Sequence, residues 1–271
     1  MFRCSYLTFG LPKYKKEGKK LENRIKEIED MSLNAWPSHQ MELYDGWIIR
    51  FSYFYTHRTN SVEQFGTSTL PWSTKIPYCE SRYKRWNTPT IFKISPLVSQ
   101  DFDFMLENRG YVIQHTTDVC YLDLDRADLR TDTDKVTYLE GIPAEWISSL
   151  FRLKNTTDPM HLKVVPGMYA SIPKDTICVC IRGENGQIIA TGLGVLDRDY
   201  VGLYAIHVSP EHRHKGYAKQ ICTAVLSKAR EKGALHSYLQ VVDGNEAAIN
   251  LYYSLGYSFL YKYWFRVSDP S

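Results

Sequence analysis

The sequence predicts an α+β fold (mixed α/β) built from two similar halves. Segments whose apolar residues recur at helical spacing alternate with short runs rich in β-branched and aromatic residues. A helix followed by Gly-Tyr and a strand occurs twice, at Leu106–Tyr111 and at Tyr252–Tyr257. A repeat near half of the chain length indicates duplicated domains, because solenoid repeats span only ~20–50 residues. The 271 residues, 44% of them hydrophobic, are enough for one large domain or two of ordinary size.

The first half is predicted to start with a helix from about Lys19, in which Leu21, Ile25, Ile28 and Met31 recur at helical spacing. The elements expected after it are strands within Tyr44–Tyr55, a loop over most of Thr56–Pro77, a short helix over Tyr78–Trp86, a strand over Thr90–Ile94, a helix over Val98–Arg109, and one or two strands over Tyr111–Leu124. The next residues, 125–135, are dominated by charged side chains, so they are the expected connection between domains at residues 1–128 and 129–271.

The second half is predicted to contain a denser alternation of helices and strands. The expected strands are Val136–Leu139, Thr176–Ile181, Gln187–Leu196, Leu203–Val208, Ser237–Val242 and one or two within Ser258–Val267, and the expected helices are Pro143–Leu153, Asp158 to about Tyr169, a helix to about Glu231, and Asn245 to Gly256. Gly183-Glu184-Asn185-Gly186 has the composition of a hairpin turn. Strand, loop, helix, strand and helix therefore follow one another from Gly202 to Tyr257.

The six cysteines predict free thiols in a reducing compartment. No Cys-x-x-Cys pair occurs, so the sequence indicates neither a zinc site nor a redox pair, and no metal is expected. Cys178 and Cys180 lie two residues apart on a predicted strand and should face the same side.

Charge and hydropathy exclude several classes of protein. No apolar run approaches the ~18 residues of a spanning helix, and Met1–Gly10 lacks a signal-peptide core. We therefore expect a cytoplasmic protein without a membrane partner. The net charge of +3 is too small to demand nucleic acid, and the lysine-rich run Lys13–Lys20 is typical of a solvated, frayed terminus. A nucleic-acid module is an alternative that rests on this run alone.

The loop after the strand Leu203–Val208 is a candidate anion site. Arg213-x-x-Gly216-x-Ala218 opens a helix directly after a strand and turn. Gly216 permits close approach of a ligand to the backbone, and bare N–H groups at a helix start favour a phosphate. The residues expected to surround that phosphate are Arg213, His214, Lys215, Gly216, Tyr217, Ala218 and Lys219. The loop matches neither a nucleotide triphosphate loop nor a dinucleotide fingerprint, so by itself it is moderately specific.

The following helix makes the site more specific. Asn245 stands at its start, where an asparagine ordinarily caps the helix. Tyr252 comes seven residues later, nearly two turns on and so on the same face. Judged in isolation, Tyr252 would be a core tyrosine. The pairing of this helix with the Gly216 loop is the signal that points to function.

Together the loop and helix resemble the GNAT superfamily of acyl-coenzyme A N-acyltransferases, over about Val136–Val267 and most strongly from Gly202 to Tyr257. The resemblance implies a domain with a twisted, mostly antiparallel sheet flanked by helices and a splayed parallel strand pair. It further implies that residues 213–219 and Asn245 bind acetyl-CoA, and that a backbone N–H near Val208 polarises the thioester. Tyr252 would then protonate the departing thiolate, which is feasible because tyrosine, with pKa ~10, lies near a thiol, with pKa ~8.5.

The general base is not identified by the resemblance. Many family members have a carboxylate towards the start of the strand before the loop, where this chain has Gly202. Asp197, Asp199, Tyr204 and His207 lie nearby in the sequence, and a water chain to bulk solvent is a further alternative.

The first half more weakly resembles a degenerate GNAT-like domain of tandem members of the superfamily. It lacks the Arg-x-x-Gly-x-Ala loop between Tyr55 and Tyr78, so one cofactor site is expected. Tyr53, Phe54, Tyr55 and Trp72 would wall an acceptor cleft or pack in the core. The expected partners are acetyl-CoA and an amine acceptor, with a small molecule favoured over a protein and the oligomeric state open. The alternative is a non-catalytic acyl-CoA-binding or scaffolding protein.

Overall fold

The structure, a computed structural model, describes residues 12–269; the expectations for Met1–Gly10 and for Cys4 lie outside them. The α-helices are α1 (Pro12–Ala35), α2 (Trp72–Arg85), α3 (Gln100–Asn108), α4 (Ala144–Lys154), α5 (Pro159–Ala170), α6 (Tyr217–Glu231) and α7 (Glu246–Ser254). The strands are β1 (Gln40–Tyr44), β2 (Trp47–Phe51), β3 (Val62–Gln64), β4 (Ile91–Ile94), β5 (Val112–Asp123), β6 (Val136–Leu139), β7 (Thr176–Arg182), β8 (Ile188–Asp197), β9 (Tyr200–Val208), β10 (His236–Val242) and β11 (Ser258–Val267).

All of these strands belong to one mixed sheet, in the order β1-β2-β3-β4-β11-β5-β10-β9-β8-β7-β6. The pairs β3–β4 and β9–β10 are parallel, and the other neighbours are antiparallel. Successive residues of β7 point to opposite faces, as the strand period requires. Ile177 and Val179 pack with α6, whereas Cys178 and Cys180 pack with α4 and α5. The expectation that the two cysteines share a face is confirmed.

The two halves have the same construction and exchange their last strands. In each half a parallel pair with a helix between its strands is followed by a second helix, a Gly-Tyr dipeptide and a final strand. The final strand of the second half, β11, pairs with β4, and that of the first half, β5, pairs with β10. The predicted mixed α/β fold with two similar halves is confirmed. The domain boundary at residues 128 and 129 stays a prediction, and the sheet is continuous across it.

Four local expectations for the first half were wrong. The helix α1 begins at Pro12 rather than near Lys19 and includes the run Lys13–Lys20 that was expected to be a frayed terminus. The strand β1 lies almost entirely before the segment Tyr44–Tyr55 in which strands were expected.

The segment before Pro77 is helical, since α2 starts at Trp72 rather than at Tyr78. Burial of Ile76, Cys79 and Tyr83 on one helix face outweighs the turn-forming composition. The three-residue strand β3 was missed because such a short run carries no periodic signal. In the second half, each predicted element is present with ends shifted by at most a few residues.

No helix within residues 12–269 is long and apolar enough to cross a membrane.

Candidate active site

The parallel strands β9 and β10 separate part-way along their length. They pair only from Tyr200 and His236 to Leu203 and Leu239. Beyond these residues β9 continues to Val208 and β10 to Val242 without pairing to each other. The predicted splayed pair is therefore present, and its open end faces the loop that precedes α6.

A β-bulge in β9 accompanies the separation. Leu193 of β8 pairs with Tyr204 and Thr191 pairs with His207, so Ala205 and Ile206 of β9 oppose one residue of β8. Ala205 has a left-handed φ of 52°, and its carbonyl accepts a hydrogen bond of 3.0 Å from the Thr191 hydroxyl. A bulge bends its strand and leaves backbone groups outside the ladder. The bulge in β9 therefore changes the direction of the strand at the point where a ligand would enter.

The start of α6 has the features of an anion site. Gly216 has φ 78° and is exposed, and a Cβ at this position would meet nothing within 4 Å. The first helical hydrogen bond runs from the Gln220 N–H to the Gly216 carbonyl at 3.1 Å. The N–H groups of Tyr217, Ala218 and Lys219 consequently have no acceptor within the helix. They are available to an anion at the positive end of the helix dipole.

The other predicted residues of this loop lie around the same helix start. The Arg213 Nε donates to the Val208 carbonyl at 3.4 Å, so the loop folds back on the end of β9. His214, with φ 61°, and Lys215 are exposed. Two of the helix residues have partners: Lys219 Nζ lies 4.0 Å from a carboxylate oxygen of Asp128, and the Tyr217 ring centroid lies 5.6 Å from Lys135 Nζ.

Asn245 and Tyr252, the two predicted site residues of α7, have different surroundings. The Asn245 side chain accepts from the Ala248 N–H at 3.2 Å and so caps the helix. Tyr252 is half-buried against the core, with its ring centroid 6.0 Å from that of Tyr257. Its hydroxyl has no hydrogen-bond partner among residues 12–269, and burial raises its pKa above the ordinary value of 10.0. Tyr252 is thus a protonated donor without an internal acceptor.

The place where the family resemblance implies a carboxylate is filled by aromatic rings. A Cβ on Gly202 would lie 2.6 Å from Tyr204 Cε2 and 2.7 Å from Tyr238 Cζ. The two tyrosine hydroxyls are 2.8 Å apart. Gly202 is therefore required by packing, and the rings occupy the space that an acidic side chain would need.

The nearby candidates for a general base lie in different environments in the structure. Asp197 is buried and holds Lys174 Nζ at 2.9 Å and Asn34 Nδ2 at 2.8 Å, so it is engaged in structural contacts. Asp199 lies before β9, at the opposite end from the bulge. His207 lies at the bulge, where burial lowers its pKa to about 4, aided by the positive charges of Lys154 and Arg213. It is a neutral imidazole at pH 7.

A cavity of about 150 Å³ adjoins the bulge. From the second half it is lined by Leu150, Lys154, Tyr169, Tyr204, Ala205 and His207, and from the first half by Trp36, Tyr55, Thr56 and Arg58. Both halves therefore wall the same cavity. Of the aromatic residues singled out in the sequence, Tyr55 lines it, whereas Trp72 packs against Phe102 at a centroid distance of 5.3 Å.

The loop that carries Tyr55 and Arg58 is held by Asn60. The Asn60 Oδ1 accepts from the N–H groups of Ser52, at 2.6 Å, and Phe54, at 3.1 Å, and its Nδ2 donates to the Thr56 carbonyl. The sequence did not connect Arg58 with Lys154, because they lie 96 positions apart on separate halves. The one available signal was the run that contains Arg58 and Asn60, which lies between two strands.

Comparisons with known proteins agree with this geometry. A family model described as probable histone acetyltransferase Rv0428c, C-terminal, matches residues 23–265. The chain belongs to the GNAT superfamily of N-acetyltransferases. It is 25% identical over 249 residues to the uncharacterized N-acetyltransferase YobR of Bacillus subtilis (strain 168), covering 90% of this chain and 98% of that protein. It is 39% identical over 145 residues to the streptothricin acetyltransferase of Streptomyces lavendulae, covering 45% of this chain and 75% of that protein.

The fold agrees with that of a solved GNAT protein. The GCN5-related N-acetyltransferase from Kribbella flavida superposes with a TM-score of 0.66 at 14% identity, over 92% of this chain and 95% of that one. With the family match over residues 23–265, this agreement makes the protein an N-acyltransferase of GNAT fold. Among residues 12–269, no group of three or more histidine, cysteine or acidic side chains is arranged to hold a metal ion.

Proposed function

We propose that the protein transfers an acetyl group from acetyl-CoA to a primary amine by direct attack in a ternary complex. The observation that carries this proposal is the separation of β9 and β10 beyond Leu203 and Leu239, on the side of the sheet where β9 leads into the start of α6. This separation would admit an extended thioester arm, with the anion site of α6 at one end, and Tyr252 of α7 would act on that arm as a protonated phenol. The exposed Val242 adds apolar surface to the open end of this separation.

Residues 213–219 are the proposed phosphate site. The free N–H groups of Tyr217, Ala218 and Lys219 would hold the pyrophosphate of acetyl-CoA, and the positive charges of Arg213 and Lys215 would add to their attraction. The open space over Gly216 supports this assignment, since a phosphate can approach the backbone there. Asn245 caps α7 through its oxygen, which leaves its amide N–H groups for the bound acetyl-CoA.

The reaction needs one bond exchange and two proton movements. The neutral amine nitrogen attacks the thioester carbonyl carbon, the carbon–sulfur bond breaks, and an amide forms. The N–H near Val208 would stabilise the developing oxyanion, as donors at such positions do. The Tyr252 hydroxyl gives its proton to the departing thiolate, the amine proton passes to water, and a solvent proton then restores the phenol for the next turnover.

The environment of Tyr252 supports its role as the acid. Burial raises its pKa, which keeps the phenol protonated at neutral pH. Cys222 lies close enough to contribute to that shift, and burial raises the pKa of its own thiol to about 12. A leaving thiolate in the same low-dielectric region would likewise become more basic. Burial raises the pKa of the donor and of the acceptor together, so the proton transfer from Tyr252 stays uphill and needs a good hydrogen bond to the departing sulfur.

A small acceptor fits this cavity better than a protein chain does. The cavity beside the bulge holds about 150 Å³, and the first half closes one side of it with Trp36 and Tyr55. A histone tail, the substrate named in the family description, would need an open groove for the chain on both sides of the lysine. We therefore favour a small amine.

Replacing Tyr252 tests the proposal. We expect Tyr252→Phe to lower the rate of thiol release from acetyl-CoA with a good acceptor by roughly a hundredfold or more, because the general acid is lost. Tyr253→Phe is the matched control, since Tyr253 is 47% exposed on the same helix. Calorimetric titration with coenzyme A should give similar Kd values for both variants.

The decisive outcomes differ for each part of the proposal. Equal rates for the Tyr252→Phe and Tyr253→Phe variants would remove Tyr252 from the reaction. Tight binding of coenzyme A without turnover of any amine in a broad panel would instead favour the non-catalytic binding protein. A lysine-rich peptide acetylated faster than every small amine would overturn the preference for a small acceptor.

A further inference from the structure

The cavity beside the β9 bulge has an unbalanced positive charge. Arg58 and Lys154 line it, and no aspartate or glutamate of the described chain does. Neither cation forms an ion pair with a residue in the range 12–269. By contrast, the buried Arg50 and Arg266 are each paired with a carboxylate. Arg58 is half-buried and Lys154 is exposed, so the cavity presents two unpaired cations at its wall and would attract negative charge.

Arg58 is held in place but not saturated. Its Nη1 donates to Gln240 Oε1 at 3.2 Å, and that oxygen also accepts from the Tyr263 hydroxyl at 3.2 Å. Gln240 directly follows Leu239, the last residue of β10 that pairs with β9. A guanidinium has five N–H donors, and this one uses a single bond within the described chain. Arg58 is thus anchored at the strand separation with most of its donors available.

Lys154 faces the same cavity from the last turn of α4. Its Nζ donates to the Tyr55 hydroxyl at 2.8 Å and lies 4.8 Å from the centroid of that ring. One hydrogen bond leaves two ammonium protons for a further acceptor. His207 lines the same cavity, and the positive charge of Lys154 contributes to the lowered pKa of His207.

We propose that the acceptor is a primary amine that also carries an anionic group, a carboxylate or a phosphate, which binds Arg58 and Lys154. The inference rests on the proposed function, because it names the acceptor class of that site. A carboxylate or phosphate would meet the guanidinium fork and the ammonium in charge-assisted hydrogen bonds. A polyamine or a lysine-rich peptide would bring like charge against the two cations and bind more weakly.

Matched acceptor pairs test the inference on the intact protein. Thiol release from acetyl-CoA is measured with an amino acid and its carboxamide, with an aminoalkyl phosphate and the matching amino alcohol, and with a diamine and a lysine-rich peptide. We expect the anionic member of at least one pair to have a kcat/KM about tenfold to a hundredfold higher, chiefly through KM, because charged hydrogen bonds are worth that much. The pair that responds identifies the anionic group.

Two variants with matched controls locate the effect. Arg58→Gln and Lys154→Gln should bring the anionic and neutral members of the responsive pair close together, with the KM for acetyl-CoA unchanged. Arg85→Gln and Lys84→Gln remove the same charges from exposed positions on α2 and should keep the wild-type preference. Equal or better use of the neutral members by the wild-type protein, or a preference for the diamine or the peptide, would overturn the inference.

A separate binding measurement keeps this inference distinct from the proposed function. If no amine releases thiol, the proposed acetyl transfer fails, and calorimetry with the same anionic compounds still decides the ligand class. Binding that weakens about tenfold or more in Arg58→Gln but not in Arg85→Gln would support an anion-binding cavity. Binding that is unaffected by Arg58→Gln, or is absent, would refute it.

Discussion

Substitution of Gly202 by alanine adds only one methyl group but should destabilise the protein strongly. The added Cβ would lie 2.6 Å from Tyr204 Cε2 and 2.7 Å from Tyr238 Cζ, both closer than side chains tolerate. Overpacking of this kind costs ~1–3 kcal/mol. Moving either ring would also stretch the 2.8 Å contact between the two hydroxyls, which adds about 1 kcal/mol. We therefore expect the free energy of unfolding in urea to fall by roughly 2–4 kcal/mol.

Gly167→Ala is the matched control for this change. Gly167 lies inside α5, where a Cβ would come no closer than 3.8 Å to another residue, the side chain of His39. That substitution should be neutral or stabilising by up to ~1 kcal/mol. In a Tyr238→Leu background, the cost of Gly202→Ala should shrink by ~1 kcal/mol or more, because two of the three close atoms are removed. A Gly202→Ala protein as stable as Gly167→Ala, or a cost unchanged by Tyr238→Leu, would refute the packing explanation.

Two further predictions concern the site itself. With saturating acetyl-CoA, kcat/KM for the acceptor should rise with pH towards the pKa of the amine. No break is expected near pH 6.5, because His207, with a pKa of about 4, is already neutral there. A break near pH 6.5 that His207→Gln abolishes would contradict this prediction. Gly216→Ala should weaken coenzyme A binding severalfold, because φ is 78° and an L-residue pays ~1–2 kcal/mol in that region. Gly110→Ala, at φ 85° in the first half, imposes the same backbone strain away from the site and should leave the Kd for coenzyme A unchanged. Equal effects of Gly216→Ala and Gly110→Ala on that Kd would contradict the phosphate-site assignment.

Local patterns were sufficient to predict most of the second half and the loop around Gly216. The helix start after β9, the Asn245 cap and the position of Tyr252 all follow from short-range spacing, which the sequence displays directly. The exchange of β5 and β11 was not predictable in this way. It depends on which strand edges meet in space, and the repeated Gly-Tyr segments showed only that two similar strands exist.

The acceptor cavity was the least predictable part of the site. Its cations come from a loop of the first half and from α4, and they meet only because both halves share one sheet. The filling of the space at Gly202 by Tyr238 was likewise invisible, since residue 238 lies on the neighbouring strand. The sequence shows that position 202 lacks a carboxylate. The physical reason, which is the packing of Tyr204 and Tyr238 into that space, is visible only in the structure.

The missing carboxylate and the unpaired cations are consistent with one another. An amine with a pKa of ~10.4 in water must lose a proton before it attacks. His207, with a pKa of about 4, is too weak a base to hold that proton. Positive charge from Arg58 and Lys154 lowers the pKa of a bound ammonium to the extent that the anionic group of the acceptor leaves it unneutralised, because like charges disfavour the charged form. A carboxylate at position 202 would act in the opposite direction on the amine pKa. We infer that the electrostatics of the cavity favour the neutral form of the amine and that the proton of the ammonium passes to water. The anionic group of the acceptor supplies the binding energy that opposes repulsion between the ammonium and the two cations.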